Sequence, residues 1–339
     1  YELHVRDFTT EGTIKAATAK LDYLVSLGVN AIELMPIQEF DGNDSWGYNP
    51  CFYFATDKAY GTKEDYQGFI DECHKRGIAV ILDVVLNHAT GLFPYAKMWW
   101  DSYNNCTTDA NPFFNRVARH PYNVYHDFNH EYIETRNYFK RMLKFWMEEF
   151  KVDGFRFDLS KGLTQKNSGT SEGNVGAWSS YDSSRIAIIK EYADAIRSYS
   201  DDAYIILEHF ADYSEENELA SYRDILLWNK QSEPYYQTAM GWLKDGDNLS
   251  NANKDNYVTY CESHDEERAF FKAKQWGNGD LKTNEEARVA RVPLNMAFLT
   301  LLNGPKMFYH FAELGFDYSK YQNAQGKWGK NDYGITSEL

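Results

Sequence analysis

Residues 153–162 read DGFRFDLSKG. The run is apolar at Phe155, Phe157 and Leu159, yet it carries Arg156 and Asp158. Residues two apart in a strand share a face, so the guanidinium and the carboxylate stand side by side. Burying charge is costly unless it is paired, so such a pair needs a reason. A second carboxylate, Glu208, closes the very apolar run YIIL at 204–207. Asp158 beside a cation is expected to stay ionised, whereas a carboxyl in an apolar setting is pushed toward its protonated form. One ionised and one protonated carboxyl group is what breaking a glycosidic bond requires: a nucleophile and a general acid. On this reading Arg156 holds Asp158 charged and oriented, while desolvation makes Glu208 the acid.

These residues need a scaffold that brings them together. Strand-like runs occupy 2–8, 31–37, 79–85, 154–159, 204–210, 224–229, 257–263 and 306–311. Most are near-continuous apolar stretches, as expected for parallel strands covered on both faces. Helical periodicity appears between them at 13–27, 63–76, 131–151, 184–199, 215–222, 234–244 and 285–302. Gly28, Gly77 and Gly304 fall where helix C-caps belong. Alternation of this kind predicts an α/β fold, a (β/α)8 TIM barrel, with active-site residues at the C-terminal strand ends. The polar residues found there are Asp83, Asn87, His88, Arg156, Asp158, Glu208, His209, Glu262, His264 and Asp265. A lone Asp or His in such a place is ordinarily a helix cap, but a cluster drawn from four strands has no structural requirement behind it.

About 45 residues without strong periodicity separate Val85 from the helical pattern near Glu131. Loops beyond ~12–15 residues are uncommon unless functional or folded, so an inserted subdomain is expected after strand 3. The expected organisation is a barrel from 1–88 and 131–339 with the insertion at 89–130. The chain ends soon after strand 8 with no eighth helix in view, from which a C-terminal truncation is expected.

The formal net charge of −15 argues against nucleic acid or an anionic membrane as partner. No apolar run reaches the ~20 residues needed to span a bilayer. The four cysteines are scattered without metal-ligand spacing. Aromatic residues make up 17% of the chain, enough to supply flat faces for sugar rings as well as core.

The motifs resemble those of glycoside hydrolase family 13, the α-amylase family. DVVLNH (83–88), GFRFDLSKG (154–162), ILEHF (206–210) and YCESHD (260–265) are similar to its four signatures, in order. GVNAIELMPI (28–37) resembles its second strand and GPKMFYHFAELG (304–315) its eighth. The resemblance implies a retaining mechanism with Asp158 as nucleophile, Glu208 as acid/base and Asp265 stabilising the transition state. It implies Arg156, His88 and His264 as donors to the sugar, Asp83 as support beneath the site, Tyr48 of WGYNP as the stacking aromatic, and Lys161 as a further substrate contact. Asn87 and Asp127 (in YHDFNHE, 125–131) match positions that bind structural calcium in members. Members often carry a histidine after the lysine, where Gly162 stands here. The implied activity is endo-hydrolysis of α-1,4 bonds in starch-like α-glucans, outside the cytoplasm. HVRDF (4–8) also looks like pullulanase-type members, which leaves α-1,6 debranching or transglycosylation as the alternative. A non-catalytic glucan-binding relative is the remote one; it would ordinarily have lost a catalytic carboxylate, and all three candidates are present.

Overall fold

The computed structural model describes residues 1–242 and 255–321. Its main sheet has eight strands: β1 (Glu2–Leu3), β2 (Ala31–Leu34), β3 (Ala79–Val85), β4 (Gly154–Asp158), β5 (Tyr204–Leu207), β6 (Leu226–Lys230), β7 (Tyr257–Tyr260) and β8 (Lys306–Met307). They follow one another in chain order, the topology of a (β/α)8 barrel. Each overlaps a run read as strand from sequence, and only β6 extends beyond its run, by Lys230. By contacts the chain groups into two compact units, Gly12–Leu227 and Tyr1–Glu11 with Trp228–Leu339.

In the unit Gly12–Leu227, β2, β3, β4 and β5 pair in parallel. Ile32, Leu82, Val84, Phe155, Phe157, Ile205 and Leu207 are all buried, as covered parallel strands demand. The β3–β4 register sets Arg156 opposite Asp83. Gly154 is required where β4 meets β5: a Cβ there would lie 2.3 Å from the Tyr204 carbonyl oxygen. Helices Lys63–Lys75, Ile133–Phe145 and Ser183–Arg197 alternate with these strands. The first opens on a capping box of Thr62 and Asp65, the last on an Asp182 cap.

The single helix read over 13–27 is two, Ile14–Thr18 and Leu21–Ser26. Thr18 Oγ1 donates back to the Ile14 carbonyl (2.9 Å), a side-chain bond that competes with helix continuation. The reading over 131–151 is one α-helix followed by a π-helical turn, Trp146–Phe150, ended by left-handed Lys151. Residues 89–130 carry a short helix, Pro94–Lys97, and a small ladder pairing Trp100–Asp101 with Cys106–Thr107. A second ladder pairs His88–Ala89 with His126–Asp127. Phe93, Phe114 and Phe128 form the aromatic centre of this segment, Phe114 stacked on Phe128 at 4.3 Å.

In the other unit β7 pairs with β8, and Glu2 bridges Tyr309 in parallel. The first strand is shorter than read: His4 leaves it, and Val5–Phe8 is a helical turn held by the His4 carbonyl accepting from Asp7 N–H (3.2 Å). Val5 and Phe8 are still buried, which is why the pattern looks like a strand. The eighth strand likewise stops at Met307, and Phe311 is left-handed. Helix Ser232–Met240 ends at Gly241, φ +74°, and residues 243–244 of the stretch read as helix lie outside the described residues. The stretch 285–302 is two helices, Glu285–Val289 and Val292–Thr300, because Pro293 starts the second. Tyr235, Ala239, Phe270, Val292 and Leu299 pack as this unit's core. Among the described residues no helix is long and apolar enough to cross a membrane.

Candidate active site

The centre of the Gly12–Leu227 unit's polar cluster is Arg156, which is fully buried. Its Nη1 donates to both Asp83 oxygens (2.9 and 2.9 Å) and to Asp158 Oδ1 (3.0 Å). Its Nη2 donates to Glu208 Oε2 (2.9 Å). One planar guanidinium therefore orders three carboxylates, a task its fixed fork of donors suits. Asp83 is buried and takes a further bond from the Tyr48 hydroxyl (2.6 Å). Asp158 and Glu208 keep 14% and 12% of their side chains exposed, so the two rim carboxylates are open to a ligand while Arg156 and Asp83 are not.

This arrangement corrects the reading of Glu208. It does not stand alone at the end of an apolar strand: besides Arg156 it accepts from Leu159 N–H (2.8 Å). Such donors favour the charged form of a carboxylate. Arg156 is correspondingly shared rather than dedicated to Asp158, and its Nη1 meets both oxygens of Asp83 across the strand register.

Tyr48 is positioned by its neighbours. Gly47 has φ +93°, and a Cβ there would lie 2.3 Å from the Pro36 carbonyl oxygen, so the turn before the tyrosine needs glycine. The Tyr48 carbonyl accepts from His88 Nε2 (2.7 Å). Burial pulls His88 down to about 4, although the Tyr48 contact works the other way, so the ring is neutral with its hydrogen on Nε2. Nδ1 can then only accept, and its neighbour is the Asn87 side chain. The structure sets the Asn87 oxygen against Nδ1 and leaves its amide nitrogen buried without a hydrogen-bond partner. Two acceptors cannot face each other, so the amide is assigned the other way round, nitrogen to Nδ1 and oxygen to the buried side.

This orientation bears on Asn87 and Asp127 as cation ligands. Asp127 is 1% exposed; Oδ2 accepts from Asn115 Nδ2 (2.9 Å), but Oδ1 has no hydrogen-bond partner, and His120 Nε2 is 3.5 Å away. A buried, incompletely satisfied carboxylate oxygen fits a hard cation, which takes oxygen ligands. Among the described residues no group of three or more His, Cys, Asp or Glu could hold a metal, so further ligands would be carbonyls or water.

Lys161 is not presented to a ligand. It is buried, with Nζ donating to Ser179 Oγ and the Phe210 carbonyl (2.9 Å each) and lying 4.2 Å from the Trp178 ring centre. Burial first, then Arg185, pulls its ammonium down to about 8. The residue read as a substrate contact is an internal tie. Gly162 follows because a Cβ there would lie 2.9 Å from Asn87 Cβ.

His264 and Asp265 belong to the other unit. His264 is buried, and Glu2 accepts from both its backbone N–H (3.0 Å) and its Nδ1 (2.6 Å). This fixes the imidazole orientation, leaving Nε2 3.6 Å from Asp265 Oδ1. The Asp265 side chain is 54% exposed. Glu2 went unnoticed in the sequence, although a fully buried acid in the apolar run YELHV was a signal. His310 accepts from His4 N–H (3.3 Å) and packs against Phe8 and Phe311, which is what a histidine in strand 8 does here.

The family model described as "Alpha amylase, catalytic domain" matches residues 5–130 and 117–336. The malto-oligosyltrehalose trehalohydrolase of Saccharolobus solfataricus is 32% identical over 209 residues, 61% of this chain and 32% of that protein. The chain thus spans about a third of that relative's length. Among solved structures, Eubacterium rectale Amy13B superposes with TM-score 0.71 at 22% identity, covering 98% of this chain and 71% of the other. The pullulanase of Anoxybacillus sp. LM18-11, solved with maltotetraose, gives TM-score 0.71 at 21% identity, over 98% and 53%.

Proposed function

We propose, for a chain that belongs to the α-amylase family of glycoside hydrolases, a retaining hydrolase that cuts α-1,4-glucosidic bonds within starch-like glucans. The observation that carries this reading is the pair of rim carboxylates, Asp158 and Glu208, held on one Arg156 fork. In the proposed mechanism Asp158 attacks the anomeric carbon, the bond to the leaving sugar breaks, and Glu208 gives its proton to the departing oxygen. Glu208 then takes a proton from water, which releases the sugar from Asp158 with configuration retained. Arg156 and Leu159 N–H both donate to Glu208 in the ligand-free site, so substrate entry must loosen that grip and Glu208 must take up a proton from solvent before the acid step. The resemblance proposes Asp265 to bind sugar hydroxyls in the transition state, with His264 as donor and Tyr48 as stacking face. It also proposes His88 as a donor, but the one N–H of that ring is held by the Tyr48 carbonyl, so its role here is to position Tyr48.

A second reading has one observation behind it: the 32% identical relative is named for acting on malto-oligosyltrehalose. Product analysis on starch, pullulan and malto-oligosyltrehalose separates the cases. The proposal expects malto-oligosaccharides from starch, with pullulan untouched or cut to panose. Maltotriose from pullulan would mean debranching instead. Trehalose released without attack on starch would favour the second reading, and no product from any substrate would defeat all of them.

We also propose that Asn87 and Asp127 hold a structural calcium ion. Chelation should then lower the melting temperature, and added calcium restore it, while magnesium, which dehydrates reluctantly, should not. An unchanged melting curve in excess chelator would remove the metal from the account.

A further inference from the structure

The turns that follow β4 and β5 are joined more tightly than the fold requires. Leu159 and Phe210, neither a glycine, both have left-handed backbones, at φ +40° and +50°. Non-glycine residues keep such conformations only where their surroundings over-determine them, commonly at functional sites. Here the surroundings are a buried polar chain. Ser160 N–H and Oγ each lie 2.9 Å from the Glu208 carbonyl oxygen. Ser160 Oγ is 2.9 Å from His209 Nδ1, and His209 Nε2 is 2.7 Å from Glu215 Oε1. Glu215 is closed off by Arg185, Nε to Oε1 and Nη2 to Oε2 (2.7 Å each), and by Asp182 N–H (2.9 Å). Ser160, His209, Glu215 and Arg185 are at most 1% exposed. Lys161, bound to the Phe210 carbonyl, is a second tie between the same two turns.

The protons fix how the chain works. Glu215, paired with Arg185, is the acceptor for His209 Nε2–H, so a neutral His209 offers Nδ1 as an acceptor. The Ser160 hydroxyl then has one hydrogen lying between His209 Nδ1 and the Glu208 carbonyl, and its position is set by the ring. Ser160 follows Asp158 by two residues, and the intervening Leu159 N–H holds the Glu208 carboxylate. We infer that Ser160, His209 and Glu215 are positioning residues that lock the Asp158 turn to the Glu208 turn and so set the orientation of the Glu208 carboxylate. The inference rests on the proposed role of Glu208, and it extends the site to three residues that touch no substrate.

Ser160→Ala removes one hydroxyl and keeps the backbone N–H; His209→Gln removes the ring. Because small misplacements of a reacting group are costly, each is expected to lower kcat on starch about 10-fold, with KM within about 2-fold. Residues acting as one chain are not additive, so the double variant should be no worse than the poorer single. Additive losses, or a rise in KM with kcat kept, would overturn the inference. A crystal structure of Ser160→Ala decides the matter without any activity: a rotated or split Glu208 carboxylate is expected, and an unmoved one overturns the clamp. Wild-type protein inactive on all glucans would defeat the functional reading instead, leaving that crystallographic comparison to judge the clamp.

Discussion

Asp158→Asn should lose activity on starch by on the order of 10⁴-fold or more, while keeping its fold and its affinity for glucan. The substitution is nearly isosteric and leaves an oxygen to accept from Arg156 Nη1, now 3.0 Å from Oδ1. What it removes is the group that forms the bond to the sugar, and a neutral amide is a poor nucleophile. Loss should therefore appear in kcat rather than in KM, since the residue acts in the chemical step. Initial rates of reducing-sugar release at saturating starch, beside a binding isotherm for a malto-oligosaccharide, test both halves. Activity within about 10-fold of wild type would remove Asp158 from the nucleophile's role. Lost binding with an intact fold would make it a binding residue instead.

The second large effect is on stability. Arg156→Met replaces the guanidinium that faces Asp83, Asp158 and Glu208. Breaking a buried ion pair from one side leaves uncompensated charge and costs about 3–5 kcal/mol, and here three carboxylates lose their common partner. Arg156→Lys should not rescue it, because one ammonium cannot match a fork serving several acceptors. At low pH the carboxylates take up protons, the repulsion among them fades, and the gap between variant and wild type should narrow. Urea-unfolding midpoints at neutral and acidic pH measure this directly. A variant as stable as wild type at neutral pH, or a gap that widens in acid, would contradict the picture of Arg156 as the site's keystone charge.

All eight barrel strands were legible because a strand covered on both faces must be apolar nearly throughout, and that demand is written locally. Their polar ends were legible for the same reason: a charged residue interrupting such a run stands out, as Arg156, Asp158 and Glu208 do. Where local chemistry competed with periodicity, the reading blurred. Thr18 and Pro293 divide helices whose apolar pattern runs on, and Val5 and Phe8 are buried from a helical turn rather than a strand.

The pairings among these residues came from the tertiary structure alone. Arg156 meets Asp83 because β3 and β4 align in one register, and it meets Glu208 through the turn after β5. Those partners are 73 and 52 residues away, and no local pattern encodes a register. Lys161 turned inward for a related reason: the ligands of its ammonium, Ser179 and Phe210, arrive from two distant loops. Glu2 against His264 and His209 against Glu215 are further cases of buried charge whose partner folding chooses. The sequence by itself determined on which strand ends the charged side chains stand. Which proton, charge or carbonyl each one faces was decided by strand register and loop closure, because electrostatic environment is a property of spatial neighbours.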